Sequence, residues 1–417
     1  MNQPNPSIHT TIEMTFQHES RKVIAHLIRL YADIELAEDA LQDALIEALD
    51  HWTRIGIPQN TGAWIMTTAK RKVIDRLRRN RALTQRLPML VEDDVSEEFD
   101  PLEIPDERLR LMFTCCHPAL SQEAQIALTL QLLGGISTEV VAKAFLIPLT
   151  TMEQRLVRAK RKIRDAGIPY QVPPLHLLTE RLDAVLAVIY LIYNAGYVSP
   201  TGDSLVQTDL CDEAIRLGRV LCDLLKNQPA VGENAEALGL LALMLLHHAR
   251  RHTRVDENGE IILLEDQNRA LWDKAMIDEG IAILDCALLL NQRGAYQIQA
   301  AIASLHAQAP SSDETDWLQI SLLYGALSQL SPSPIVELNR AVAIAMAHGV
   351  GAGLAILEGL SGDKTLTNYH LYHATLADLY RRDNRMGEAK SAYERAIALC
   401  DNDRERVFLN KRLSQLT

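Results

Sequence analysis

The chain has 417 residues and a formal net charge of -12, with 47% hydrophobic and only 5% aromatic residues. This length allows several domains with a sizeable core, and the composition favours packed helices over β-sandwiches or barrels. No uncharged apolar run reaches the ~18 residues of a membrane span. Six cysteines without metal-ligand spacing favour a cytoplasmic protein with reduced thiols and no metal site. We therefore predict an all-α protein with no membrane segment.

The first helices lie between residues 10 and 50, where Leu41, Leu45 and Leu49 recur at helical spacing. A loop, "RIGIPQNTG", separates them from residues 63–82, which carry seven Lys and Arg residues and one acidic residue. So basic a helix in an acidic chain predicts a surface for nucleic-acid phosphates. The alternative is a solvated helix face, which usually intersperses acidic residues for ion pairing.

A helical wheel divides this basic stretch into an apolar half and a basic half. The bases of the second half are expected to meet phosphate; they are Arg71, Lys72, Arg78 and Arg79. Lys70, Arg76 and Arg81 fall on the apolar side, where either their long stems bend outward to solvent or the helix is already ending.

An acidic linker follows at residues 91–107. Residues 92–107 contain nine acidic residues and no base, with prolines at 101 and 105. This composition predicts an extended segment without a fixed helix. A helical pattern resumes at Glu107 and continues to Gly167.

The segment "ISTEVVAKAFLIPLTTMEQRLVRAKRKIRDAG" predicts two short helices joined by a turn. Ser137 is placed to cap the first helix, and Thr150 with Glu153 predicts a capping box at the start of the second. Helical spacing predicts four inward-facing residues in the second helix: Met152, Leu156, Ala159 and Ile163. It predicts four outward-facing ones: Thr151, Gln154, Arg155 and Arg158. Such a helix-turn-helix presents its early side chains to the major groove, although helical hairpins that bind no DNA are common.

The remaining residues, 169–417, are rich in Ala and Leu, and this composition predicts helices. The stretch "HATLADLYRRDNRMGEAKSAYERAIALC" has small and large residues placed as in a tetratricopeptide helix pair, with generic antiparallel helices as the alternative. We expect Gly349, Gly351 and Gly353 to mark a turn between helices rather than a phosphate loop, and "DENGEIILLED" to form a hairpin. Cys115, Cys116 and His117 are interpreted as structural, because adjacent cysteines rarely bind one ion together.

Three stretches in this order resemble the extracytoplasmic-function (ECF) sigma factors of bacterial RNA polymerase. "AEDALQDALIEALDHW" is similar to the polymerase-binding helix, "AWIMTTAKRKVIDRLRR" to the helix for the promoter -10 element, and "TTMEQRLVRAKRKIR" to the helix for the -35 element. The resemblance covers about residues 10–165. A subgroup with a long tetratricopeptide-like C-terminal extension is also similar, through "ERLRLMFTCCHPAL" and "YLIYNAGY".

The resemblance implies roles for residues on three surfaces. Core RNA polymerase would be bound by Glu38, Asp39, Leu41, Gln42 and Asp43. The -10 element would be bound by the loop residues Pro58, Gln59 and Asn60 and by the bases Lys70, Arg71, Lys72, Arg76, Arg78 and Arg79. The -35 element would be bound by Thr151, Glu153, Gln154, Arg155, Arg158, Lys160 and Arg161. No cofactor, no metal and no catalysis by this subunit are implied.

Two positions depart from the family pattern. Leu146 stands where the helix-turn-helix turn usually has Gly, and Glu153 stands where the recognition helix usually has a base. Glu153 would either accept a hydrogen bond from cytosine N4 or complete the helix cap. The promoter sequence therefore does not transfer from relatives.

The resulting prediction is a non-enzymatic sigma factor. Its domains are sigma domain two (1–90), the acidic linker (91–107), sigma domain four (108–168) and a regulatory helical domain (169–417). The last carries about -10 of the net charge, which suits basic surfaces better than DNA, so we hypothesise that it docks within the chain on the sigma portion. The alternative is a repeat-type interaction scaffold with a vestigial helix-turn-helix.

Overall fold

The computed structural model describes residues 23–24, 26–31, 33–83, 104–134, 136–145, 147–198, 204–227, 232–257, 260–400 and 402–416. Within them the chain is helical and contains no strand, only one isolated β-bridge, so the all-α prediction is confirmed. None of these helices is long and apolar enough to cross a membrane. The chain forms two compact units, Met1–Ile192 and Tyr193–Thr417.

The helices of the first unit are α1 (Ile34–Ile55), α2 (Thr61–Leu83), α3 (Ile104–Cys115), α4 (Gln122–Leu128), α5 (Thr138–Ala144), α6 (Leu149–Asp165) and most of α7 (Leu175–Val198). The second unit contains the end of α7 and α8 (Ser204–Lys226), α9 (Ala235–His248), α10 (Lys274–Leu289), α11 (Ala295–Gln308), α12 (Trp317–Leu330), α13 (Pro334–His348), α14 (Val350–Gly359), α15 (Lys364–Thr367), α16 (His370–Arg382), α17 (Met386–Leu399) and α18 (Asp403–Ser414).

Helices α1 and α2 pack as a pair through small residues and one large aromatic side chain. Asp33 caps α1 by accepting a hydrogen bond from the Leu36 N–H at 3.0 Å. Trp52 is fully buried and meets Trp64 edge-on, with ring centroids 5.5 Å apart. The packed face includes Ala37, Ala40, Leu41, Ala44, Ala48, Ile65, Met66, Ala69 and Val73. This apolar seam sets the direction in which the acids of α1 and the bases of α2 project.

Helix α3 begins at Ile104, inside the segment predicted as an extended linker. The linker prediction is therefore wrong for residues 104–107, because Pro105 stands at the start of a helix, where it loses no intrahelical bond and its φ is already helical. Residues 91–103 of the predicted linker lie outside the described residues, as does Leu146.

The predicted helix-turn-helix is formed by α5 and α6. The Ser137 hydroxyl caps α5 through the Val140 N–H, as predicted. The predicted capping box at Thr150 is wrong: α6 already begins at Leu149, its N-cap is Pro148, and that end has no side-chain cap. The Thr151 N–H bonds to the Pro148 carbonyl instead, because the fixed φ of proline starts the helix two residues earlier.

The first part of α7 packs against this domain. The guanidinium of Arg181 donates to the carbonyl of Phe113, and the Thr114 hydroxyl lies 3.3 Å from the carbonyl of Pro169. The division between the compact units falls within α7, later in the chain than the predicted boundary after residue 168. A truncation that removes α7 would therefore uncover the helix-turn-helix domain.

Antiparallel helix pairs build the second unit, and α16 with α17 forms the predicted repeat. Of the residues predicted to pack in this repeat, Tyr380 is half-buried and the others are buried: Leu376, Ala377, Ala389, Tyr393 and Ala396. In the preceding pair, Gly353 lies so close to α13 that an added Cβ would stand 2.6 Å from the Ala341 carbonyl oxygen and 2.5 Å from the Ala345 Cβ. The close approach of α13 and α14 requires glycine there.

Two local predictions in this unit agree with the structure at least in part. Gly349 has φ of 101° and forms the turn between α13 and α14, as predicted, but the prediction is wrong for Gly351 and Gly353, which lie within α14. Val255 and Ile261 form an antiparallel bridge, as expected for a hairpin in "DENGEIILLED".

Candidate polymerase-binding and DNA-binding surfaces

Helix α1 presents the five predicted polymerase-binding residues on different faces. Leu41 is buried in the seam with α2, whereas Asp39 and Gln42 are exposed and Glu38 and Asp43 are half-buried. Leu41 therefore positions the helix, and the four polar side chains form the surface on which a partner would bind.

Arg76 of α2 pairs with two of these acids. Its guanidinium contacts the carboxylate of Asp39, and its Nη2 lies 2.9 Å from Asp43 Oδ2. The two carboxylates raise the pKa of Arg76, although its partial burial opposes this. Arg76 is thus directed towards the acids of α1 rather than outward to solvent as expected, and its contact with the -10 element stays a prediction.

Glu47 of α1 pairs with two further bases of the helix predicted for the -10 element. Lys72 Nζ lies 2.5 Å from one carboxylate oxygen, and Arg71 contacts the other. The hydrogen bond from Lys72, with the Arg71 contact, holds the pKa of Glu47 below its usual range in spite of its partial burial. Part of the charge of these two bases is therefore balanced within the domain before any phosphate is bound.

The exposed end of α2 and the loop before it complete this surface. Arg78 and Arg79 are exposed, Lys70 is half-buried, and Arg79 donates only to the carbonyl of Asp75 in its own helix among the contacts described. In the loop, Gln59 is exposed, and the side-chain oxygen of Asn60 caps α2 through the Ala63 N–H at 2.9 Å. Pro58, Gln59 and Asn60 thus lie directly before the basic helix.

Helix α6 displays the predicted -35 residues on its outer face. Its four predicted inward residues are buried. Thr151, Glu153, Gln154, Arg158 and Arg161 are exposed. Arg158 donates to the Gln154 side chain at 3.2 Å, and the Arg155 guanidinium lies over the Phe145 ring, 5.6 Å from its centroid. The early turns of α6 therefore carry polar and basic groups able to reach base edges.

Lys160 has a different position from that expected of a DNA contact. Its side chain is only 8% exposed, and Nζ lies 2.5 Å from the Glu38 carboxylate of α1. One turn further along α6, Arg164 Nη1 lies 3.1 Å from the carboxylate of Glu35. The helix predicted for the -35 element thus pairs with the helix predicted for polymerase. Sequence reasoning missed this contact, whose only signal is the opposite charge of the two helices.

The Cys115–Cys116–His117 stretch is part of the domain core. Both thiols are buried, and burial raises the pKa of Cys116 to about 12. His117 Nδ1 accepts a hydrogen bond from the Ala119 N–H, and the His117 carbonyl accepts one from Gln125. Neutral, buried thiols beside a turn-forming histidine support the structural interpretation.

The "YLIYNAGY" stretch also has a structural role. In the second unit the Tyr197 ring lies under the Arg254 guanidinium, 3.7 Å from centroid to Cζ, and the Arg254 side chain donates to the Tyr197 carbonyl at 2.6 Å. His247 lies beside the same ring, and burial lowers its pKa to about 3. These contacts join the end of α7 to α9 and the segment that follows it.

An acid-rich helix packed on a base-rich helix and followed by a helix-turn-helix fits the class of helical DNA-binding proteins. Comparison with known families makes the class specific. Residues 15–83 match Sigma-70 region 2, and residues 110–163 match Sigma-70 region 4. Residues 181–288 match a family of unknown function, DUF6596.

Curated relatives match the chain over different lengths. The uncharacterized protein R00370 of Rhizobium meliloti (strain 1021) is 41% identical over 97% of this chain and 96% of its own length. The ECF RNA polymerase sigma factor SigK of Mycobacterium tuberculosis (strain ATCC 25618 / H37Rv) is 26% identical over 36% of this chain and 82% of its own length. SigK of Mycobacterium bovis (strain BCG / Pasteur 1173P2) matches to the same extent. The chain belongs to the sigma-70 family, in its ECF group, and carries a helical C-terminal extension.

Members of this family are transcription regulators without enzymatic activity of their own, and their partners are core RNA polymerase and promoter DNA. The family matches cover the helices that bear all three predicted surfaces. The roles of individual residues on those surfaces remain predictions.

Proposed function

We propose that this cytoplasmic, non-enzymatic sigma factor binds core polymerase through α1 and directs it to promoters with two separate DNA-binding surfaces. The observation that carries the proposal is the placement of exposed bases on two domains, at the end of α2 and along the early turns of α6. Lys and Arg side chains on the first surface would hold the promoter phosphates near the -10 element, while the loop before α2 would read an unpaired nucleotide base. Side chains at the start of α6 would read the -35 element in the major groove.

Promoter binding requires the contact between α1 and α6 to open. The -10 and -35 elements are separated by about 25 base pairs, which at roughly 3.4 Å per pair is about 85 Å. Glu38 lies on α1, which packs against α2, so Lys160 and Glu38 cannot remain 2.5 Å apart while α2 and α6 occupy the two elements. We infer that the closed contact belongs to the protein away from DNA and competes with core polymerase for the acidic face of α1.

Reversing the charges of Lys160 and Arg164 is expected to favour core binding. In the variant Lys160→Glu/Arg164→Glu, the new carboxylates would repel Glu38 and Glu35 and free α1. We expect core affinity to rise roughly 3- to 10-fold, in keeping with the modest worth of partly exposed ion pairs. Equilibrium binding of the full-length chain to purified core polymerase measures this.

Arg161→Glu/Lys162→Glu is the matched control for that experiment. It makes the same charge change on the same helix, at exposed residues without a described partner on α1. Equal core affinities for the two variants would show that net charge, rather than the α1–α6 contact, is responsible.

For the C-terminal unit we propose regulation by docking on the sigma portion. The support is electrostatic: about -10 of the net charge lies beyond residue 170, and the sigma portion carries the basic clusters. Docking would replace a separate inhibitory protein. Assistance through contact with polymerase is the competing mode.

Promoter-specific run-off transcription with core polymerase tests the proposed function and the regulatory role together. The full-length chain should initiate at a defined promoter, and a repeat-type scaffold would not. A chain ending after Val198 keeps the α7 residues that contact the helix-turn-helix domain. Inhibition by docking predicts more transcript from this shorter chain, and assistance predicts less. Equal transcript, with no binding of the separated unit to either partner, would exclude both modes.

A further inference from the structure

Three side chains with metal-binding donors converge near the end of the chain. They are His370 at the start of α16, Cys400 at the end of α17 and Glu405 in the first turn of α18. One donor atom from each lies within 4.8 Å of the other two. His370 precedes Cys400 by thirty residues, and Cys400 precedes Glu405 by five, so the three do not form a short sequence motif. This is the one such group found among the described residues.

Two of the three donor separations lie within about 0.7 Å of those expected around a tetrahedral zinc ion. His370 Nε2 lies 2.7 Å from Glu405 Oε2, and Cys400 Sγ lies 3.8 Å from the same oxygen. Around a zinc ion the corresponding separations would be about 3.4 Å and about 3.6 Å, from the usual metal–ligand bond lengths. A small rotation of the half-buried His370 and Glu405 side chains would open the space that an ion needs.

Charge and donor type narrow the choice of metal. One thiolate and one carboxylate together neutralise a divalent cation, so the complex would add no net charge to this partly buried place. A sulfur, an imidazole nitrogen and a single carboxylate suit Zn²⁺, whereas Mg²⁺ and Ca²⁺ prefer sites made of oxygen.

A cavity lies beside two of the three side chains. This cavity has a volume of about 330 Å³, and His370 and Glu405 belong to its lining. The rest of the lining is largely apolar and includes Leu371, Leu379, Phe408 and Leu409. Three protein ligands and an open position facing a cavity are the features of a zinc site able to bind an additional ligand.

We propose that His370, Cys400 and Glu405 bind Zn²⁺ and join α16, α17 and α18, with the open coordination position facing the cavity. Metal binding would replace the hydrogen bond between His370 and Glu405 and the proton of the Cys400 thiol. Because the three ligands come from three different helices, the ion would hold α18 against the last helix pair. This proposal does not depend on the sigma function of the first unit.

Cobalt binding to the full-length, chelator-treated protein tests the site. Co²⁺ bound by Cys400 should give a thiolate-to-cobalt charge-transfer band, which added Zn²⁺ should abolish. Competition with a chromophoric chelator then gives the Zn²⁺ affinity. Cys400→Ser, His370→Gln and Glu405→Gln should each weaken Zn²⁺ binding at least about 100-fold, because loss of a direct ligand exceeds the 10- to 100-fold cost of losing its supporting contacts. Zn²⁺ should also raise the Tm of the wild-type protein.

The matched control is Cys286→Ser, which removes an exposed thiol outside the cluster. It should keep both the charge-transfer band and the Zn²⁺ affinity. If circular dichroism shows that Cys400→Ser is unfolded, the two variants of half-buried residues decide the result. The proposal is overturned if the wild-type protein gives no band at saturating Co²⁺, or if the ligand variants bind Zn²⁺ as tightly as the control.

Discussion

Charge reversal at Asp39 and Asp43 is expected to lower the affinity for core RNA polymerase by roughly 10- to 100-fold. The Asp39 side chain is 57% exposed and that of Asp43 is 36% exposed, so both carboxylates are accessible to a partner. Leu41, Ala44 and Ala48 pack the opposite side of α1 and are unchanged in this variant. The measurement is equilibrium binding to core polymerase, with circular dichroism to verify folding.

The structure provides a control that separates direct binding from a structural effect. Arg76 contacts both carboxylates, so Asp39→Lys/Asp43→Lys also removes an ion pair between α1 and α2. Arg76→Ala removes the same pair but leaves both acids free. If the acids bind polymerase directly, Arg76→Ala should retain or improve core affinity. A loss as large as that of the double variant would mean that the acids act only by holding α2 in place.

Arg158→Ala is expected to cost about 1 to 3 kcal/mol of binding to the cognate -35 element and little on a scrambled one. Arg158 is exposed on the third turn of α6 and is held only by Gln154 of the same helix among the described contacts. Its guanidinium is therefore available for a guanine edge. Arg155 is a less direct test, since its guanidinium also lies over the Phe145 ring. Holoenzyme binding to paired promoter fragments measures the difference.

Arg161→Ala is the matched control for this experiment, because Arg161 is also exposed and lies one turn later on α6. If it contacts phosphate, its loss should weaken cognate and scrambled binding alike and lower the salt slope by about 1. An equal loss on both fragments for Arg158→Ala would assign that residue to phosphate contact as well.

Local patterns predicted much of the fold. The helical period placed Met152, Leu156, Ala159 and Ile163 on the buried side of α6 because the spacing of apolar residues depends only on the geometry of one helix. The same reasoning placed Arg76 on the apolar side of α2. Local patterns failed at Thr150 and at residues 104–107, where Pro148 and Pro105 start helices earlier than the neighbouring polar residues suggested.

Local patterns could not predict ion pairs between helices that are far apart in the chain. Lys160 looks like its neighbours in the basic stretch, yet its ammonium is buried against Glu38, which precedes it in the chain by 122 residues. Whether a Lys or Arg side chain faces DNA phosphate or a carboxylate of another helix depends on how the two helices pack. The residue spacing within either helix does not predict this.

The sequence by itself determined the helical class, the order of the sigma regions and the faces of the individual helices, because periodicity and local motifs are properties of contiguous residues. The tertiary structure alone decided which charges are already paired, in Arg76 with Asp39 and Asp43 and in Lys160 with Glu38. It alone brought His370, Cys400 and Glu405 together from three helices. The physical reason is that side-chain proximity between helices follows from the packing of their apolar faces, to which residues far apart in the chain contribute jointly.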